Sequence, residues 1–305
     1  MFKQLGLIGC GLMGGSFALA LKKAGLVEHV IGYSKSPSTV IQAQKLGVVD
    51  QAADSALLAV SGADIVLIAV PVAATEAMFR AIRHLVQPGA LFMDVGSTKR
   101  DVVDAARRVL KERLPAFVPA HPIAGKEVAG IAHADANLYR GCQVILTPVA
   151  ETHPPLIERA TAAWMGVGAQ VRSMTPEAHD EAFAAVSHLP HLLAFAAFSA
   201  VAQQPQGAMF LDLAGSGFRD FTRIAASDAA VWRDILIANR EQVLAQAEVF
   251  KTQLHLLEQA MREGRADAVE ALVRDAANAR GAWQMNGPRT LPPGVAVGPG
   301  TPPTV

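Results

Sequence analysis

The stretch Leu5-Gly6-Leu7-Ile8-Gly9-Cys10-Gly11-Leu12-Met13-Gly14-Gly15 decides how the rest of the chain is read. Leu5 to Ile8 is a short apolar strand candidate, and a helix pattern runs on through Lys23. Between them stands a G-x-G-x-x-G spacing, strand before and helix after. The first glycine makes the tight turn, the second lets backbone approach a pyrophosphate, and the third permits close helix–strand packing. Amides at the helix N-terminus then hold the anion. This reading assigns Gly9, Gly11, Leu12, Met13 and Gly14 to a dinucleotide. A glycine-rich turn without a ligand is the plain alternative, and the flanking elements argue against it.

Working outward, the second strand candidate is Val30 to Tyr33. A ribose-reading acid is expected at its end, where Asp or Glu would accept from an adenosine 2′-hydroxyl. The sequence reads Ser34-Lys35-Ser36 instead. A hydroxyl and an ammonium suit a 2′-phosphate, and an ordinary solvated turn explains the same residues equally well. The cofactor expected is therefore NADP or NAD, with NADP used at least as well. Ile65 to Val70 is an unbroken apolar run, as a parallel strand covered on both faces requires. Val70 at its end is placed beside the cofactor, and a helix follows Pro71 to about Leu85. Leu91 to Val95 is a further strand, ending in Asp94-Val95-Gly96-Ser97-Thr98-Lys99. Ser97 and Thr98 can cap the helix that runs to about Arg113. They also stand at a carboxyl strand end, where open α/β sheets bind ligands.

Phe117 to Ala120 leads into His121-Pro122-Ile123-Ala124-Gly125. Proline biases the preceding residue toward extended backbone, so the imidazole is displayed at the end of an element. Read alone, His121 is a turn histidine or a ligand-facing one. Gln143 to Leu146 and Gln170 to Val171 flank one more helix and are expected to finish the sheet. Strand signals stop at Thr175-Pro176-Glu177, which opens a helix with Thr at the N-cap. Asp180 and His191 lie eleven residues apart, which at ~100° per residue returns them to one face. Pro190 should kink this helix. His191 reads either as a core histidine or as a ligand contact. Arg219 and Arg223 flank Asp220 in a glycine-led segment, where a helix-face ion pair is the plain explanation. An amphipathic helix is expected from Asp228 to about Met261, and a shorter one from Asp267 to Trp283.

The expected organisation is an α/β protein. A Rossmann-type, mostly parallel sheet domain over residues 1–174 precedes an all-helical dimerisation domain over 175–285. A disordered tail is expected over 286–305, where six prolines and four glycines fall. Lys+Arg and Asp+Glu are equal at 27 each, so no net field draws the chain to nucleic acid or an acidic membrane. Two cysteines in no metal-like spacing fit reduced thiols and a cytoplasmic location. The glycines at 9–15 interrupt what would otherwise imitate a signal peptide. No run reaches the length of a membrane span, the longest being Leu189 to Ala202. No metal is expected, because His179, His188 and His191 lack an accompanying carboxylate–histidine motif.

Five segments taken together carry a resemblance. They are Gly9 to Ser16, Asp94 to Lys99, Ala120 to Gly125, Val186-Ser187-His188-Leu189-Pro190-His191, and Gly217 to Ala225. In this order and spacing the sequence resembles the prephenate/arogenate (cyclohexadienyl) dehydrogenases of tyrosine biosynthesis, over about Leu5 to Trp283. The resemblance implies that His121 polarises the ring hydroxyl of the substrate and that Ser97 helps hold it. It also implies that His191 and Arg223 line the substrate pocket, and that the helical half forms a homodimer. Asp180, on the face of His191, is expected to orient that imidazole or to pair with an arginine. Lys126 is given no role.

The chemistry implied is compact. If neutral His121 accepts the C4 hydroxyl proton, C4 can release a hydride to a nicotinamide. The conjugated ketone then takes the electron pair of the C1–carboxylate bond, carbon dioxide leaves, and the ring becomes aromatic. Two other readings compete. A β-hydroxyacid dehydrogenase would use a lysine in the helical half, where only Lys251 stands. A nucleotide-sensing regulator would leave His121, His191 and Arg223 without work.

Overall fold

Residues 1–84, 89–125 and 128–284 are described by a computed structural model of the chain. The expected tail, the reach of one helix to Leu85, and Lys126 lie outside the described residues. Six strands, β1 (Phe2–Ile8), β2 (Val27–Tyr33), β3 (Gln51–Ala52), β4 (Ile65–Ile68), β5 (Leu91–Asp94) and β6 (Phe117–Val118), form one parallel sheet. Their order is β3-β2-β1-β4-β5-β6, so the chain reverses direction across the sheet beside β1. That reversal opens a crevice at the carboxyl ends of β1 and β4.

Alternation along each strand sends side chains to two cores. Leu5, Leu7, Ile65, Leu67 and Met93 pack on one face, against α1 (Leu12–Lys23), α2 (Pro37–Lys45) and, further along the chain, the helix Pro154–Gly166. Ile8, Val66, Ile68, Phe92 and Phe117 pack on the other, under α3 (Ala56–Val60), α4 (Val72–Ile82) and α5 (Arg100–Leu110). The helix Pro154–Gly166 is α6, and its Trp164 lies tilted on Phe17 with ring centroids 4.5 Å apart.

The later strands do not finish this sheet as expected. Among the described residues β7 (Ala120–Pro122), β8 (Gln143–Leu146) and β9 (Gln170–Ser173) form a second sheet, with β7 antiparallel to β8 and β8 parallel to β9. The reason is local. Pro119 has no amide to extend the ladder beyond Val118, its carbonyl accepts from Thr147, and the Ala120 amide donates to the Asp94 carboxylate at 3.0 Å. The chain therefore leaves the parallel sheet just before His121.

Among the described residues helices alone follow: α7 (Pro176–Phe183), α8 (Leu189–Ala202), α9 (Gly207–Asp212), α10 (Ser216–Thr222), α11 (Ala229–Ala238), α12 (Arg240–Arg262) and α13 (Ala266–Ala282). Thr175 caps α7 as read, its hydroxyl accepting from the Ala178 amide at 3.2 Å. A π-helical turn over Ala184–His188 joins α7 to α8. Pro190 falls directly after that π-helical turn, inside the helix, where it leaves a carbonyl of the preceding turn without its usual amide. One continuous helix over Pro176–Ala202 results, with 27 residues and a mean hydropathy of 1.5 in its most apolar window. By length and composition it could cross a membrane, contrary to the expectation drawn from Leu189–Ala202 alone. The long helix expected over Asp228–Met261 is in fact two, broken at Asn239, whose buried amide serves a tertiary contact described below.

Candidate active site

At the end of β1 the backbone turns through Gly9, at φ 97°, and enters α1. A Cβ on Gly14 would stand 2.2 Å from the Gly9 carbonyl, so this glycine serves close packing rather than direct contact. A Cβ on Gly11 would meet nothing within 4 Å, which leaves a cradle open at the start of α1. No side chain caps α1 and no acid stands in its first turn, so its first amides are available to an anion. The loop and helix end fit a dinucleotide pyrophosphate. From here a cavity of about 430 Å³ continues past Met13, Val70 and Ser97 to Asp228 and Trp232. Leu12 lines it as well.

Ser34 and Lys35 lie outside this cavity. They follow β2 directly, beside the glycine loop, because the Gly9 amide donates to the Tyr33 carbonyl at 2.8 Å. Lys35 is exposed and Ser34 half-buried. Ser36 begins α2 without capping it, its hydroxyl meeting that of Ser38 at 2.8 Å.

His121 sits on β7, half-buried, where the chain has just left the main sheet. Its backbone is held by a buried ion pair. Lys99 Nζ donates to Asp94 Oδ2 at 2.5 Å and to the Ala120 carbonyl at 2.7 Å, while Asp94 takes the Ala120 and Gly96 amides. Both charges are essentially inaccessible, and each is matched by several hydrogen bonds, which such burial demands. Lys99, in the sheet half, and Asp94 were quoted in a motif by sequence reading but given no work. The signal that could have found them is a lysine and an aspartate bracketing a strand-end turn.

The His121 ring lies against Phe183, centroids 4.8 Å apart, and its Nδ1 meets His179 Nε2 at 2.8 Å. His179 Nδ1 in turn meets Asp180 Oδ1 at 2.7 Å. Asp180 also accepts the Lys99 amide at 2.8 Å and the Arg100 amide at 2.9 Å. These are first amides of α5, so Asp180 does from across the molecule what Ser97 or Thr98 was expected to do locally. Asp180 is 1% exposed and bonds neither His191 nor an arginine side chain among the described residues; instead of orienting His191 or pairing with an arginine, it holds the His179 ring and the start of α5. No hydrogen bond among the described residues engages His121 Nε2.

His191 stands elsewhere on the same long helix. Its Nδ1 faces the Ser187 carbonyl at 2.9 Å, and its ring stacks on Trp232 with centroids 3.6 Å apart. Trp232 lines the cofactor cavity, so His191 is one ring removed from it. Arg223 is exposed at the rim of a second hollow of about 470 Å³, with Phe198, Phe218 and Thr222. His188, buried, receives Asn239 Nδ2 at 3.0 Å, and the same amide group reaches the Asp180 carbonyl at 2.8 Å. Sequence reading missed His179 as a site residue and missed Asn239 altogether. Among the described residues no three His, Cys, Asp or Glu side chains are grouped to hold a metal.

Burial sets the protonation states. It holds His121 well below its ordinary value, aided by His179 and the Lys99 charge. It lowers His179 to about 2 and His188 to about 4, and it raises the Asp180 carboxyl. His191 is lowered chiefly by burial, with the Ser187 carbonyl opposing and the Arg223 charge adding. His121 is thus a neutral imidazole at neutral pH, with one nitrogen tied and one available. Such a group can accept a proton.

Comparisons with known proteins bear on the whole chain. A family model described as "Prephenate dehydrogenase, nucleotide-binding domain" matches residues 17–173, and "Prephenate dehydrogenase, dimerization domain" matches 175–275. The chain is 40% identical to the prephenate dehydrogenase of Bacillus subtilis over 243 residues, 78% of this chain and 64% of that one. It therefore spans a little under two thirds of that relative's length. A cyclohexadienyl dehydrogenase of Zymomonas mobilis is 32% identical, over 92% of this chain and 96% of its own. Among solved structures, prephenate dehydrogenase from A. aeolicus, in complex with hydroxyphenyl propionate and NAD+, superimposes with a TM-score of 0.84. It is 35% identical, covering 92% of this chain and 98% of its own.

Proposed function

The chain belongs to the prephenate dehydrogenase family, and from that premise we propose that it oxidatively decarboxylates prephenate or arogenate, passing a hydride to a nicotinamide cofactor. The observation that carries this reading is His121, a neutral imidazole with Nε2 available, close to the β5 end that presents Ser97 to the cofactor cavity.

A nicotinamide dinucleotide, when bound, supplies the hydride acceptor. Gly11 and the first amides of α1 would hold its pyrophosphate, with Leu12, Met13 and Val70 along the same cavity. Gly9 and Gly14 shape the turn that makes this approach possible. His121 Nε2 takes the proton of the substrate's ring hydroxyl, and Ser97 donates to or accepts from the same oxygen. The Lys99–Asp94 pair fixes the backbone from which His121 projects. His191, braced on Trp232, and Arg223 hold the substrate's carboxylates. A guanidinium can do so through paired hydrogen bonds, which an ammonium cannot. Aromatisation makes the step downhill, so orientation and one base suffice.

The finer assignments are of the same kind. NADP serves at least as well as NAD; what supports this is Lys35, exposed beside Ser34, together with an α2 start that no side chain caps. A homodimer through the helices after Thr175 is supported by the apolar side chains they leave exposed, among them Val186 and Leu213. No nucleic acid or membrane partner is proposed. A cytoplasmic location fits two free cysteines. The test is direct: mix the protein with prephenate or arogenate and NADP+ or NAD+, and follow absorbance of the reduced nicotinamide. Absence of turnover in all four pairings defeats the proposal.

A further inference from the structure

The contact His121–His179–Asp180 crosses from the sheet half of the chain to the helical half, and the reaction as described does not require it. Its proton arithmetic is constrained. Asp180 presents Oδ1 to the Lys99 amide and to His179 Nδ1, and Oδ2 to the Arg100 amide. Both amides can only donate, and they belong to the start of α5, where the helix dipole favours negative charge. Each carboxyl oxygen is thereby engaged as an acceptor, and the 2.7 Å contact to His179 needs a proton from the histidine side.

If His179 Nδ1 carries its hydrogen, neutral His179 has a lone pair at Nε2. The 2.8 Å contact to His121 then requires a hydrogen on His121 Nδ1. Neutral His121 consequently has its lone pair at Nε2, the nitrogen that no hydrogen bond among the described residues engages. Reversing any one proton in this series would reverse them all, and would turn His121 Nε2 from acceptor into donor.

We propose that His179 and Asp180 are positioning residues that fix His121 in the Nδ1–H tautomer, so that its Nε2 can receive the substrate proton. The proposal rests on the reading of His121 as the base. Neither residue touches substrate; both act through the imidazole. The other charged or titratable groups around the series are Lys99 with its partner Asp94, Arg100 and Asp101 of α5, and His188 in the π-helical turn. Lys99, paired to Asp94, adds a positive charge that disfavours a doubly protonated imidazole, which keeps the single-proton arithmetic intact.

The experiment has three arms. In 15N-histidine-labelled wild type, long-range 15N–1H correlation spectra read each ring's tautomer. Nδ1–H on both His121 and His179 is expected, and Nε2–H on His121 overturns the proposal whatever the enzyme's activity. Asp180→Asn replaces an acceptor by an amide that can donate to His179 Nδ1 and so reverse the series. Its kcat should fall about 10²–10⁴-fold, as for other wrong-tautomer variants, with KM and cofactor affinity within about threefold. His179→Gln offers an amide oxygen near the place of Nε2, and should recover at least tenfold in kcat over His179→Phe. A folded Asp180→Asn protein with kcat within twofold of wild type overturns the proposal. Should that variant not fold, the wild-type spectra decide alone. Lack of turnover in wild type would defeat the proposed function and leave the tautomer result standing.

Discussion

Strand β4 (Ile65–Ile68) and helix α8 (Leu189–Ala202) are both apolar almost throughout, yet they end in opposite surroundings. All four residues of β4 are buried, covered on each face by helices of the same chain. In α8 only Leu189 and Ala194 are buried, and Phe198 is 40% exposed. The contrast extends to the halves that contain them. The sheet half completes two cores of its own, whereas α13 buries no residue at all. Apolar sequence states that a segment will be covered, not by whom. Burial of exposed side chains like these contributes roughly 25 cal/mol per Å² of apolar surface, and the proposed dimer gives that surface a partner.

The largest effect should come from the sheet half. His121→Asn keeps a polar group near the place of Nδ1 but removes Nε2, and kcat should fall about 10²–10⁴-fold with cofactor binding retained. Turnover undiminished in that variant would mean that the base lies elsewhere. The helical half is tested by placing charge on its exposed apolar surface. Leu213→Asp with Leu244→Asp should weaken dimerisation about 10²–10³-fold, the scale of an unpaired charge in a desolvated site; sedimentation at micromolar protein reads it. An unshifted dimer would remove these residues from the interface. Arg223→Ala should raise substrate KM about 10- to 150-fold, since hydrogen bonds to charged groups contribute roughly 1.5–3 kcal/mol. If KM holds and only thermal stability drops, the helix-face ion-pair reading is the right one.

The seam between the halves has its own signature in pH. His121, His179 and His188 are all held below the ordinary imidazole value by burial. As pH falls through about 6.5, the unfolded chain takes protons that the folded one refuses, so stability is lost on the acid side. Each such imidazole contributes a slope of up to about 1.4 kcal/mol per pH unit. Asp180, raised by burial, works the other way closer to its own range and softens the slope there. Denaturant midpoints at pH 5 and 7 test this, and equal stability at both would contradict buried neutral histidines. The acid limb of kcat/KM should likewise fall below pH ~6.5, the reference value. The smallest effect is expected at the turn after β2. Ser34→Asp should worsen KM for NADP+ severalfold and leave that for NAD+ unchanged, while added salt weakens the NADP+ interaction in wild type. Strong selectivity of wild type for NAD+, unaffected by Ser34→Asp or Lys35→Ala, would make these residues an ordinary turn.

Much of the sheet half was legible because its signals are local. A glycine spacing between strand and helix, and apolar runs such as Ile65 to Ile68, depend on neighbours in sequence. The same holds for His121 before a proline. What stayed hidden depended on contacts across the chain. Asp180 lies some eighty residues from the amides it accepts, so nothing near Asp180 or Lys99 announces the pairing. Asn239 interrupts an amphipathic pattern that reads as continuous, because its side chain is committed to His188 and to the Asp180 carbonyl. The second sheet was assigned to the first because short strands carry no mark of which ladder they join. Pro119, present in plain view, was the residue that could have separated them.

The π-helical turn at Ala184–His188 has a consequence in angle. Asp180 and His179 lie before it and His191 after it, on one continuous rod. A single residue removed from that turn would restore ordinary helix and rotate everything beyond it by ~100°, with a ~1.5 Å shift along the axis. His191 would swing off Trp232 while His179 kept its place against His121. The extra residue therefore acts as a phase setting between two faces of the rod, one turned to His121 and the other to Trp232.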